Sequence, residues 1–227
     1  NCLKPGISLG LLLGLAFLTQ TIGLKYTTAS ASSFITGLNV VLVTVFAALL
    51  LRKLPQWPVL IGVTAASAGL LLITFRGRLE FQAGDLLTLA CAVLYALHLV
   101  YTEKHAKNCS ASILTLIQFA TVTVLAGLAF LGFGHQELPL IRFSPLHWLA
   151  ILFCGLVSTA LAYLFQTKAQ QQIPPFRTAI ILATEPLFTG IFAIGLRMDP
   201  FDWKVVAGGL LIFAGMILTA WDERGKN

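Results

Sequence analysis

The chain has 227 residues, of which 57% are hydrophobic and 11% charged, with a net charge of +6 and a mean hydropathy of +0.87. A soluble domain carries about 25% charged residues. This chain has too little polar surface for a water-soluble globule, so disorder, nucleic-acid binding and soluble catalysis are excluded as leading readings, and the chain belongs in lipid.

A helix crossing about 30 Å of hydrocarbon needs roughly 20 apolar residues. Taken in chain order, eight segments meet that demand: residues 7–25, 32–51, 56–75, 84–103, 112–133, 146–167, 176–196 and 203–221. Short links hold the breakers and charges: Arg52-Lys53-Leu54-Pro55, Arg76-Gly77-Arg78, Glu103-Lys104-His105, Ile173-Pro174-Pro175 and Asp199-Pro200. Lys4, the apolar run to Leu18 and Ala29-Ser30-Ala31 imitate a secretory signal, but an internal repeat gives this segment a twin. The fold class expected is an all-α membrane protein, a polytopic helical bundle. Gly6, Gly10 and Gly14 make one small-residue ridge, and Gly62, Ala66 and Gly69 another, both suited to close helix contact. Trp57, Trp148, Trp203 and Trp221 stand near span ends, as interface anchors do. Cys2, Cys91, Cys109 and Cys154 form no CxxC or zinc spacing and read as small buried hydrophobes.

A shift of 146 residues lays the chain on itself without gaps. Leu15, Ala16, Leu18, Gln20 and Thr21 fall on Leu161, Ala162, Leu164, Gln166 and Thr167. Trp57, Val59, Gly62, Ala68 and Gly69 fall on Trp203, Val205, Gly208, Ala214 and Gly215. The shift advances five spans, an odd number, so equivalent helices cross in opposite directions, as in many secondary transporters. Residues 82–146 have no partner. The expectation is that two helices of roughly 65 residues stand upstream, making eight transmembrane helices present of an expected ten, in two inverted five-helix repeats. Residues 1–81 are then the last three helices of the first repeat, and 82–227 the whole second repeat. With the C-terminus in the cytoplasm, nine basic residues face that side (Lys4, Arg52, Lys53, Lys104, Lys107, Lys168, Arg177, Arg224, Lys226) and six the other (Lys25, Arg76, Arg78, Arg142, Arg197, Lys204). The bias favours a cytoplasmic C-terminus.

Three stretches resemble the EamA-type branch of the drug/metabolite transporter superfamily. Gly84-Asp85-Leu86-Leu87 with Ala96-Leu97 is similar to the start of that family's second repeat. The run from Ala29 to Asn39 resembles the fourth helix of the first, and Glu185-Pro186-Leu187-Phe188 with Gly208 and Gly215 the last two helices. The resemblance implies ten helices in two inverted halves, movement of small metabolites, a central cavity and a bacterial cytoplasmic (inner) membrane location. Where the family often has Gly-Glu at two helix ends, this chain has Arg52-Lys53 and Arg197-Met198-Asp199, so no role is carried over from that acid.

An ionisable residue at mid-membrane costs about 2.5–3.5 kcal/mol on insertion scales. Among the charged residues only Glu185 lies deep in a span. Pro186 follows it, which removes a backbone donor, frees the Leu182 carbonyl and predicts a kink. Two readings stand: a carboxylate facing a transport cavity, or a hydrogen-bonding tie between helices. Asn39 is the twin of Glu185, and Gln20 of Gln166; matched polar positions belong near a pseudo-twofold axis, where substrate binds, although polar groups also glue helices. Cys91, Tyr95, His98 and Thr102 share one helical face, and His98 is the histidine lying well inside a span, suited to a binding wall or proton relay. The substrate-binding candidates are therefore Glu185, Asn39, His98, Tyr95, Gln20 and Gln166. Tyr163 reads equally as an amphipathic wall or as plain packing, and Gln118 stands in the same position with less to place it.

The leading function is a secondary active permease moving a small organic metabolite or drug by alternating access. No GxxxxGK[ST] loop is present, so a gradient or exchange supplies the energy. The expected partners are the lipid bilayer and a small-molecule substrate; coupling to protons and a homodimer are compatible with the sequence, and no cofactor or nucleic acid is expected. The alternatives are a truncated membrane protein that does not transport and, behind it, an intramembrane enzyme, which would need a catalytic cluster such as HExxH or paired aspartates.

Overall fold

Apolar runs long enough to saturate their own backbone hydrogen bonds have one solution in lipid, the α-helix. The computed structural model describes residues 2–27, 29–52, 55–74, 82–134, 144–195 and 203–221. Among these residues every regular element is helical: α1 (Leu3–Gly23), α2 (Ala29–Gly37), α3 (Asn39–Leu51), α4 (Trp57–Thr74), α5 (Ala83–Ala106), α6 (Ala111–Ala129), α7 (Pro145–Phe153), α8 (Ala162–Ala169), α9 (Pro175–Leu182), α10 (Glu185–Gly195) and α11 (Trp203–Trp221). A π-helical stretch, Cys154–Leu161, fuses α7 to α8, and another, Phe130–Gly134, extends α6. Five stretches are long and apolar enough to cross a membrane, and two shorter apolar helices lie within α4 and α11. The links at Lys53-Leu54, Arg76-Gly77-Arg78, Arg142 and Arg197 to Pro200, and the C-terminal Arg224 and Lys226, lie outside the described residues.

Close helix contact follows the small residues. A Cβ on Gly62 would stand 2.7 Å from the Gly215 carbonyl oxygen, and one on Gly215 2.5 Å from that of Gly62. Gly69 and Gly208 oppose each other in the same reciprocal way. These four glycines draw α4 and α11 backbone to backbone. The ridge of Gly6, Gly10 and Gly14 meets Ile117, Gln118, Thr121 and Leu125, so α1 lies against α6 as well as α5. The apolar core gathers where α3, α4, α5, α9 and α11 meet, around Val43, Val63, Leu99, Ile180 and Ile212. Trp57, Trp148 and Trp203 are exposed at helix ends.

Gly84 and Asp85 shape the start of α5. The Gly84 N–H donates to the Tyr26 carbonyl at 3.2 Å, and a side chain at Gly84 would collide with that carbonyl. Asp85 accepts from the Gln82 N–H at 2.8 Å and from the Thr27 hydroxyl at 2.5 Å, closing a capping box. The other end of α3 stops on Arg52 at φ 54°, in the left-handed region where glycine is at ease.

Two expectations are corrected. Cys2 and Cys109 are not lone buried hydrophobes; they form a disulfide across 107 residues of sequence. Cys91 is buried and Cys154 exposed, both free. The span at 176–196 is not one kinked helix either. It is broken at Ala183–Thr184, so Glu185 is the first residue of α10 and Pro186 falls in its first turn, where a missing N–H costs nothing.

Candidate functional site

Both broken spans break at matched places. In the first, α2 ends at Gly37 and α3 begins at Asn39; in the second, α9 ends at Leu182 and α10 begins at Glu185. Asn39 and Glu185 correspond under the 146-residue shift. After each interruption the chain resumes its own hydrogen bonding: the Val41 and Leu42 N–H groups donate to the Leu38 carbonyl, and those of Leu187 and Phe188 to the Thr184 carbonyl. Asn39 is buried at 7% exposure, whereas Glu185 is exposed.

A polar and aromatic cluster lies between α5, α6 and α8. His98 is fully buried on α5, and its Nε2 pairs with Gln118 Oε1 at 3.1 Å. The His98 ring stacks on Tyr95 at 6.1 Å and meets Tyr163 edge-on at 6.0 Å. The Tyr163 hydroxyl donates to that of Tyr95 at 3.4 Å. Phe17 from α1 and Phe119 from α6 press edge-on against Tyr163, at 6.3 and 5.5 Å. Tyr163 is thus the hub. His98 Nδ1 and Gln118 Nε2 are buried and find no protein partner. The ensemble offers aromatic faces, two phenol hydroxyls, and unfilled imidazole and amide positions.

The face read from the sequence exists: Cys91, His98 and Thr102 are all buried, and the Thr102 hydroxyl donates to the His98 carbonyl at 2.7 Å. Of the six candidates, the structure brings Tyr95 and His98 into contact. Among the described residues, the hydrogen bonds and ring contacts of the cluster include none from Asn39, Gln20 or Gln166; the Gln166 Nε2 is buried without a partner. Tyr163, read as either an amphipathic wall or packing, and Gln118, with less to place it, join the cluster although neither stood among the six candidates. The one available signal was that each is polar within an apolar run. Among the described residues no three His, Cys, Asp or Glu side chains gather as a metal site would require.

Long apolar helices packed in an all-helical bundle define a polytopic integral membrane protein. The chain matches the EamA-like transporter family over residues 4–75 and 82–221, and it belongs to that family. An uncharacterized transporter of Archaeoglobus fulgidus is 28% identical over 212 residues, covering 90% of this chain and 71% of the relative. A second from that organism is 24% identical, covering 96% and 68%, and the uncharacterized transporter YyaM of Bacillus subtilis is 27% identical, covering 88% and 66%. A solved crystal structure superposes with a TM-score of 0.82 at 17% identity, over 94% of this chain and 76% of that one, a likeness of fold.

Proposed function

We propose that the protein is a secondary active permease that moves a small organic metabolite across a bacterial cytoplasmic membrane by alternating access, with its C-terminus in the cytoplasm. What supports it is the pair of helix interruptions at matched positions, one followed by Asn39 and the other by Glu185, in a bundle that also buries the Tyr95–His98–Tyr163 cluster. Substrate sites in inverted-repeat transporters form at such breaks. The aromatic rings suit an apolar or π-bearing part of a solute, and the phenols, imidazole and amide its polar part. On this reading Glu185 is the carboxylate that couples the passage of the solute to a proton.

The inverted repeat is supported by coincident breaks and by the reciprocal pairs Gly62–Gly215 and Gly69–Gly208, since the shift carries Gly62 onto Gly208 and Gly69 onto Gly215. The reading therefore includes two further helices equivalent to α5 and α6, completing five plus five.

Reconstitution into vesicles with an imposed pH gradient tests the function. Radiolabelled amino-acid-like and amphipathic solutes are offered in turn, and a pH dye reports proton movement with each. The expected result is solute flux accompanied by proton flux in the native protein. Glu185→Gln should retain solute exchange at equal pH and lose the response to the gradient. Equal pH responses from both proteins would remove Glu185 from the coupling.

A further inference from the structure

Cys2 and Cys109 are bonded, with Cα atoms 5.8 Å apart. The bond ties the residue preceding α1 to the turn between α5 and α6. The basic-residue bias assigns this end of the molecule, with Lys4, Lys104 and Lys107, to the cytoplasm. There, glutathione and thioredoxin hold thiols reduced, and permanent disulfides are rare. A permanent staple and a lysine-bearing cytoplasmic end conflict; a reversible pair reconciles them.

The same turn is also where the end of α8 docks. The Gln171 side-chain amide donates to the carbonyls of Ala106 and Cys109, each at 3.1 Å. Fully buried Gln170 donates to the Leu99 carbonyl at 2.9 Å, and the Thr115 hydroxyl donates to that of Thr167 at 3.4 Å. Cys109 therefore holds α1 through its sulfur and α8 through its carbonyl. Whatever fixes its sulfur also fixes the acceptor on which the α8 end rests.

We propose that Cys2 and Cys109 are a reversible thiol–disulfide pair, oxidised by a low-molecular-weight disulfide of the glutathione class, and that oxidation stiffens the α5–α6 turn beneath the Gln170–Gln171 latch and holds this end of the molecule shut. One protein thiolate attacks the small disulfide, whose S–S bond breaks and releases one thiolate. The second protein thiolate then attacks the mixed disulfide and expels the other. Two cysteine sulfurs are oxidised, one small disulfide is reduced to two thiols, and the two protein protons end on those thiols. The thiol chemistry stands apart from the transport reading; only its effect on flux rests on that reading.

The test uses the full chain in native membranes. Intact cells are treated with a membrane-permeant maleimide, and inside-out vesicles with oxidised glutathione and then maleimide, each followed by peptide mass spectrometry. The expected result is alkylation of both cysteines in untreated cells, protection of both after oxidised glutathione as a Cys2–Cys109 cross-linked peptide, recovery with dithiothreitol, and in Cys2→Ser a glutathione adduct on Cys109 in place of the cross-link. Hydrogen exchange on the purified protein should slow by about an order of magnitude at the amides of 106–110 and 170–172 on oxidation, with no such change in Cys2→Ser. A pair already oxidised in untreated cells, or labelled from outside by an impermeant maleimide after reduction, would be a permanent outer staple and overturn the proposal. So would full alkylation after oxidised glutathione. A disulfide that forms while residues 170–172 exchange unchanged would overturn the latch. Flux that continues unchanged after the disulfide has formed would overturn the closure and leave the thiol chemistry standing, whereas no solute flux in either state would count against the transport reading alone.

Discussion

His98 and Gln118 are both fully buried, and each meets part of its hydrogen-bonding capacity in the other. Polar contacts between membrane helices contribute about 0.6–2 kcal/mol, while an orphaned buried group costs about 1–3 kcal/mol. Gln118→Leu should therefore destabilise the protein by about 1–2 kcal/mol, and His98→Leu by a similar amount. The double substitution should cost less than the sum, because the second change strands nothing new. Thermal melting of the purified protein in detergent reads all three, and strict additivity would mean that the two side chains do not support each other. His98 was legible in the sequence, as a deep histidine one helical turn from Tyr95. Gln118 was not, because its partner lies 20 residues away on the next helix and only packing of α5 on α6 brings them together. Asn39 illustrates the converse: the repeat identified its position, but side-chain contact with the cluster depends on helix rotation, which spacing does not fix.

Between helices, the glycines separate into those that meet a backbone and those that meet nothing. A Cβ at Gly62 would press on Thr219 at 2.6 Å as well as on the Gly215 carbonyl, whereas Gly127 has nothing within 4 Å. Gly62→Ala must part α4 from α11 and should cost about 1–3 kcal/mol, the usual range for overpacking. Gly127→Ala in α6 should be neutral or gain up to about 1 kcal/mol from lost unfolded-chain freedom. The same melting measurement compares them; equal effects would remove close backbone contact as the reason for Gly62. The Trp-x-Val-x-x-Gly pattern made these glycines visible in the sequence, but not that the two copies would pack on one another. Pro186 was visible too, yet the break falls before it: proline is comfortable in a first turn, so the chain starts a helix at Glu185 rather than bending one. The Cys2–Cys109 bond was illegible because two cysteines 107 residues apart carry no local signal.

At the scale of the whole molecule, one helix is covered and its twin is bare. α1 is enclosed by α5 and α6, burying Leu9, Gly10, Leu13 and Gly14. The 146-residue shift carries these onto Gly155, Leu156, Thr159 and Ala160, yet the apolar window of Pro145–Ala169 buries 0% of its residues and Leu156 is 64% exposed. Twin surfaces should have twin neighbours. The proposed pair of additional helices would cover the Leu156 side of this span, and the chain's coverage of 71% and 68% of its Archaeoglobus relatives leaves length for such a pair in proteins of this family. Cys154 provides an internal control, because its twin Ser8 is exposed on α1 and so faces away from the covering helices. A nitroxide label placed at Leu156→Cys, in a Cys154→Ser background, and a second at Cys154 itself can be compared by collision with oxygen, which concentrates in lipid. In the 227-residue chain both labels should be readily reached. With two upstream helices joined, position 156 should become several-fold less accessible while 154 remains open. If both stay open, this face belongs to lipid and the twofold reading of the bundle fails. If 156 is already shielded in the shorter chain, a second copy of the protein occupies the face instead.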